Sequence, residues 1–120
     1  MSSTHRIVLP DGAEIWKNDK GEIHRDNGPA ILKADGTQVW YDSHRIHRDD
    51  GPASIGPRGE FWYHFGRFHR VDGPAAMYAV GEHQWYLNGV RYIDLSDFAK
   101  AAMLTDEDRI IIRLKFGVDI

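Results

Sequence analysis

The chain of 120 residues balances 15 Lys and Arg against 18 Asp and Glu, and a formal charge of -3 with neutral histidines disfavours nucleic-acid phosphate as its partner. It has no cysteine, which removes disulfides and thiolate chemistry, and 42% hydrophobic with 28% charged residues is the usage of a folded protein rather than a disordered one. The length supports a single domain over residues 1–120.

Taken in chain order, Met1 to Pro10 lacks the apolar core of a secretory leader, and no later run approaches the about 20 apolar residues that cross a bilayer, so the chain reads as cytoplasmic with no membrane partner. From residue 10 the sequence repeats. His24-Arg25-Asp26-Asn27-Gly28-Pro29-Ala30 returns as His47-Arg48-Asp49-Asp50-Gly51-Pro52-Ala53 and as His69-Arg70-Val71-Asp72-Gly73-Pro74-Ala75. A second landmark, Gly followed by Trp, keeps the same period at Gly12 to Trp16, Gly36 to Trp40, Gly59 to Trp62 and Gly81 to Trp85. Two independent landmarks in one register define a unit of 22 to 24 residues.

Within a unit, alternating runs such as Thr37 to Tyr41 and Glu60 to Phe65 read as strands. Asp11-Gly12, Asp35-Gly36 and Asn88-Gly89 read as primed hairpin turns, and Asn27-Gly28, Asp50-Gly51 and Asp72-Gly73 repeat that logic before a proline that opens the next strand. Two turns per unit predict about seven short antiparallel strands over residues 10–93, a meander that must twist or partly roll. The expected fold class is therefore α+β: tandem hairpin repeats followed by a helical hairpin over residues 94–117.

The helices are legible from their ends. Asp94 caps the first, with Asp97 at its third position and an Ile93–Phe98 staple; Ala99, Ala102 and Met103 extend the apolar face. Thr105 caps the second, Asp106, Glu107 and Asp108 suit its positive end, Arg113 and Lys115 its negative end, and Gly117 stops it. Ile110, Ile111, Ile112, Leu114 and Phe116 are too apolar for a helix facing water, so the hairpin is expected to cap the sheet as terminal units do in repeat proteins.

The Gly-to-Trp-Tyr strands, the Asn-Gly turn and the His-Arg-x-Asp-Gly-Pro-Ala segments resemble a class of short repeat proteins among bacteriophage accessory products, and are loosely similar to MORN repeats in unit length, Gly-rich hairpins and aromatic strand positions. The segment from Asn88 to Gly117 is similar to the endings of such phage proteins. The resemblance implies a phage-encoded protein acting in the host cytoplasm, in a class that includes inhibitors of bacterial defence of the CRISPR type. It carries no catalytic residue.

Three candidate sets follow from the residues. His24, His47 and His69 recur once per unit, and equivalent residues two strands apart lie about 10 Å from one another, too far to share a zinc ion with nitrogens at about 2.0–2.1 Å. They read as structural, with no metal and no cofactor; His44 with His47, and His64 with His69, are the closer pairs. Arg25, Arg48 and Arg70 neighbour Asp26, Asp49, Asp50 and Asp72, so they also read as structural, together with Gly28, Gly51, Gly73 and Trp16, Trp40, Trp62, Trp85. Arg45, Arg67 and Arg91, spaced by 22 and 24 residues with no adjacent acid, form with Tyr41, Tyr63 and Tyr86 the expected partner-binding surface.

No nucleophile elbow, phosphate-cradling loop or His-Glu-x-x-His is present, so a non-catalytic protein-binding module is expected. The alternatives are a protein that sequesters a nucleotide signal on its arginine rows and a metal-dependent hydrolase. An open meander edge can also pair with a second copy to make a homodimer.

Overall fold

The structure is a computed structural model describing residues 4–120. Its core is an antiparallel meander of nine strands in the order β1 (His5–Val8), β2 (Glu14–Lys17), β3 (Ile31–Leu32), β4 (Gln38–Val39), β7 (Ser54–Gly56), β8 (Gly59–Phe61), β11 (Ala76–Tyr78), β12 (His83–Leu87) and β13 (Val90–Tyr92). Beside it stand two small hairpins, β5 (Tyr41–Asp42) with β6 (Arg45–Ile46) and β9 (Tyr63–His64) with β10 (Arg67–Phe68). Two helices close the chain, α1 (Leu95–Ala101) and α2 (Asp106–Phe116). The α+β class and the C-terminal helical hairpin are as the sequence predicts. No described helix is long and apolar enough to cross a membrane.

A radius of gyration of 16.2 Å, against about 13–14 Å for a compact domain of this size, marks a chain extended along its repeat axis.

The strand count differs from the expected one for a local reason. The runs through Trp40 and Trp62 are not single strands, because each Trp is a joint at which the chain changes partner. Trp40 N–H donates to the Ala53 carbonyl and Trp62 N–H to that of Ala75, while the Trp carbonyls accept from His47 and His69. Before the joint, β4 pairs with β7; after it, β5 turns back on β6. Each middle unit therefore owns two hairpins, one in the meander and one at its flank.

The turns are redistributed as well. Primed turns, with both central residues at positive φ, occur at Ser43-His44, Phe65-Gly66 and Asn88-Gly89. At Asp11-Gly12 and Asp35-Gly36 only the glycine is left-handed, and the aspartate carboxylate accepts from the amide two residues on, Ala13 or Thr37 at 2.9 Å. Gly28 has φ 132°, but Gly51 and Gly73 are not left-handed, so the second and third heptapeptides are not primed turns and their glycines serve another purpose.

The large aliphatic core sits at the C-terminal end. Trp85, Leu87, Phe98, Ala99, Ile112 and Ile120 are buried together. Asp94 accepts from Ser96 N–H, Thr105 and Asp108 form a reciprocal capping box, and Gly117 ends α2 at φ 65°. The expected Ile93–Phe98 staple does not form: Ile93 is 85% exposed, and Phe98 packs edge-on against Trp85 at 5.1 Å and Tyr92 at 5.9 Å. Nor does α2 bury all its apolar residues. Ile112 is buried and Phe116 half-buried, but Ile110, Ile111 and Leu114 remain exposed.

Because Phe98 is fully buried at the junction of α1 with β12 and β13, Phe98→Ala is expected to cost about 3–5 kcal/mol. Urea unfolding followed by tryptophan fluorescence reads this directly; a loss under about 1 kcal/mol would show that the helices do not stabilise the sheet.

Candidate functional site

The two faces of the sheet carry different chemistry, because residues on either side of each Trp point the opposite way from its indole ring. On the Trp face, the heptapeptide arginine lies over the ring of its own unit: the guanidinium carbon is 4.0 Å from the Trp16 centroid for Arg25, 4.0 Å from Trp40 for Arg48 and 3.9 Å from Trp62 for Arg70. Each arginine Nη1 donates to a proline carbonyl, Pro29 at 3.1 Å, Pro52 at 3.1 Å and Pro74 at 3.3 Å. The glycine before that proline lies against the guanidinium. A Cβ on Gly28, Gly51 or Gly73 would stand 3.3, 3.0 or 2.8 Å from the arginine Cζ, which explains the glycine where φ does not. Ala30, Ala53 and Ala75, which close each heptapeptide, are fully buried.

Arg48 and Arg70 also donate Nε to Asp50 (3.1 Å) and Asp72 (2.8 Å), but those carboxylates are largely exposed. In the first unit Asn27 takes that position, and Arg25 keeps both its ring and its carbonyl. The stack is thus the constant element, and a solvent-screened ion pair contributes little to it.

The heptapeptide histidines tie one unit to the next. Ser43 N–H donates to His24 Nδ1 (3.1 Å), Phe65 N–H to His47 Nδ1 (3.0 Å) and Asn88 N–H to His69 Nδ1 (3.0 Å). The following turn residue donates its N–H to a backbone carbonyl of the preceding unit, His44 to Ile23, Gly66 to Ile46 and Gly89 to Phe68. With Nδ1 accepting, the ring proton sits on Nε2, which faces Asp26 at 2.7 Å in His24 and Asp49 at 2.9 Å in His47.

The expected pairs resolve differently. His44 Nδ1 accepts from Ile23 N–H across the unit boundary, whereas the His64 and His69 rings are 5.6 Å apart. His47, Asp49 and His64 each offer a ligand atom within 4.8 Å of the others. Metal at His47 Nε2 would drive the ring proton onto Nδ1, into the Phe65 amide hydrogen, so the tautomer that joins the units opposes coordination there.

The other face is aromatic. Tyr63 and Phe68, cross-strand partners in the second flanking hairpin, stack at 4.5 Å, and Phe68 stacks on Tyr86 at 4.8 Å. Phe61 lies 6.3 Å from Phe68 and meets Tyr78 edge-on at 5.2 Å. Phe61, Tyr63, Phe68 and Tyr78 line a groove of about 580 Å³ with exposed Arg58 at its margin. Burial holds the Tyr63 phenol above its usual range, with Tyr78, Tyr41 and Tyr86 close enough to repel a phenolate; burial raises Tyr41 too. The larger groove, about 980 Å³ between the first two heptapeptides, is lined by groups such as His24, Asp26, Arg48 and Asp50 that already pair with one another.

Of the six expected partner-binding residues, Tyr63 and Tyr86 join the aromatic row through Phe68, Tyr41 makes no ring contact with it among the described residues, and the arginines divide. Arg45 pairs in register with Asp42, and Arg67 with His64, on the reverse side of their hairpins from Tyr41 and Tyr63. Arg45 leans on the Phe65 ring at 4.7 Å. Arg91 is one residue out of repeat register, because Val90 occupies the place of Arg45 and Arg67, and it lies opposite Tyr86 on the aromatic side. Arg58, Phe61, Phe68 and Tyr78 also belong to this face, outside the expected Arg and Tyr rows. Phe61 was legible from its place beside Trp62, and Phe68 from its symmetric position across the Phe65-Gly66 turn. The chain matches no family model, no curated protein and no solved structure.

Two outcomes test the repeat chemistry. Arg70→Ala removes the cover from Trp62 and the donor from Pro74, and is expected to cost about 2 kcal/mol, whereas Asp72→Asn, which copies the first unit, should cost under about 0.5 kcal/mol; equal losses in urea melts would assign the stability to the ion pair. His69 is held below its ordinary value of 6.5, first by burial and then by charge on His64. The unfolded chain therefore takes up a proton near pH 6.5 that the folded chain refuses, so this contribution is complete above that pH and lost on acidification through the folded value. Urea midpoints should fall between pH 7.5 and 5.5, and fall less in His69→Gln; an identical slope in the variant would remove His69 from the account.

Proposed function

We propose that the protein is a non-catalytic binding module whose aromatic face covers the surface of a protein partner. The observation that carries this reading is the contiguous row Tyr63–Phe68–Tyr86, stacked at 4.5 and 4.8 Å on the sheet side away from the Trp85–Phe98 core, with Arg58 and Arg91 beside it. Tyrosine and arginine are the residues that dominate binding energy at protein interfaces, and stacked rings present their area at low entropic cost. The face offers aromatic surface with cations at its margin.

Of the two arginine rows, the heptapeptide row is engaged elsewhere, since Arg25, Arg48 and Arg70 stack on tryptophan and bond proline carbonyls. That favours a protein over a nucleotide signal. The resemblance to phage accessory proteins makes the proposed partner a bacterial protein, such as a component of a CRISPR-type defence complex, met in the host cytoplasm.

Affinity capture from bacterial lysate tests the reading with two paired variants. Reversing Arg58 and Arg91 together to Glu should abolish retention of a single stoichiometric protein while thermal unfolding stays within error of the parent. Reversing Arg45 and Arg67, on the reverse side of their hairpins, should leave retention within about threefold. Retention indifferent to Arg58 and Arg91, or nucleotide eluting in place of protein, would overturn the proposal.

A further inference from the structure

Helix α2 carries more apolar surface than its own chain covers. Ile112 is buried against the core, yet Ile110 and Ile111 are each 50% exposed and Leu114 is 82% exposed. At 100° per residue Ile110 and Leu114 lie side by side, directly opposite Ile112, with Ile111 at their flank. The stripe is bracketed by charge: Asp106 and Glu107 stand exposed at its start, Arg113 and Lys115 at its end. Arg113 has its Nε on the Ile120 carbonyl at 2.9 Å, and Lys115 enters no hydrogen bond or ion pair among the described residues.

We propose that this stripe is the docking surface for a second copy of the chain, packed helix against helix in antiparallel sense about a twofold axis. A twofold axis normal to the helix pair keeps each flank on its own side. Glu107 then faces Lys115 of the partner subunit, Asp106 faces Arg113 of the partner subunit, and both pairs occur twice. Ile110 meets Leu114 of the partner subunit between them, and this contact also occurs twice.

Parallel packing would set acid against acid and base against base, so the charge pattern selects the antiparallel arrangement, which also opposes the two helix dipoles. The interface lies on the outward side of the C-terminal cap and leaves the aromatic face free, so the inference is independent of the proposed partner. An 11-residue helix is about 16 Å long, and one such face buries less than a standard interface, so the dimer is expected to be weak, with a dissociation constant on the order of 10 μM.

Sedimentation equilibrium of the full chain from about 5 to 500 μM tests this. The expected mass rises from 13.7 kDa toward twice that value. Leu114→Glu, at a position already in water, should stay monomeric throughout with an unchanged melting curve. Glu107→Lys and Lys115→Glu should each weaken self-association about tenfold or more, and an equimolar mixture of the two should recover it, because the matched pairs reform only in the heterodimer. A monomeric parent chain would overturn the proposal, as would a dimer indifferent to Leu114→Glu, which would point to the exposed β1 edge. A mixture no tighter than its components would overturn it equally.

Discussion

A guanidinium held between an indole ring and a glycine is the contact on which the repeat depends. The β region has too few large aliphatic side chains to build an interior: outside the C-terminal cluster the buried apolar side chains among the described residues are Ala13, Ala30, Val39, Ala53, Pro74, Ala75 and Ala76. Arg25, Arg48 and Arg70 supply the missing cover, each laying its stem and planar head over a tryptophan and capping a proline carbonyl. A flat cation can approach backbone only where no Cβ intervenes, which is why glycine follows three residues after each arginine. The His Nδ1 bonds then transmit the arrangement, since each accepts an amide that belongs to the next unit's turn.

The same contact explains how the array ends. After Trp85 no heptapeptide follows, and the ring is covered by Phe98 at 5.1 Å and Phe116 at 6.0 Å instead. Phe116 also lies 5.4 Å from the Arg70 guanidinium and against Gly73, so α2 closes the third heptapeptide as well as the last tryptophan. The helical hairpin stands in for a fourth unit, with aromatic carbon in place of the arginine. A terminal repeat left open would expose a tryptophan and its unpaired neighbours, and a cap of different sequence removes that exposure.

Strand alternation divides the labour between faces. Trp and the heptapeptide hold the array together on one side, so the residues that flank each Trp on the other, Phe61, Tyr63 and Tyr86 among them, are released from that task. The rings that gather there are half-buried by one another rather than by the helices, which gives an ordered aromatic surface available to a partner. Helix α2 presents a second unpartnered surface of different character, aliphatic and bounded by opposite charges.

The sequence by itself determined the repeat period, the helix ends at Asp94, Thr105 and Gly117, and the α+β class. These rest on chemistry completed within a few residues, such as a cap or turn, or on a spacing that recurs. Only the tertiary structure decided that each middle strand breaks at its tryptophan, that Gly51 and Gly73 make room for a guanidinium rather than adopt a left-handed turn, and that Arg91 parts from Arg45 and Arg67. It also decided which of the five apolar residues of α2 are covered. Each of those outcomes depends on which backbone amide or side chain arrives from about 20 residues away, and composition and periodicity do not encode that arrival; packing between units does.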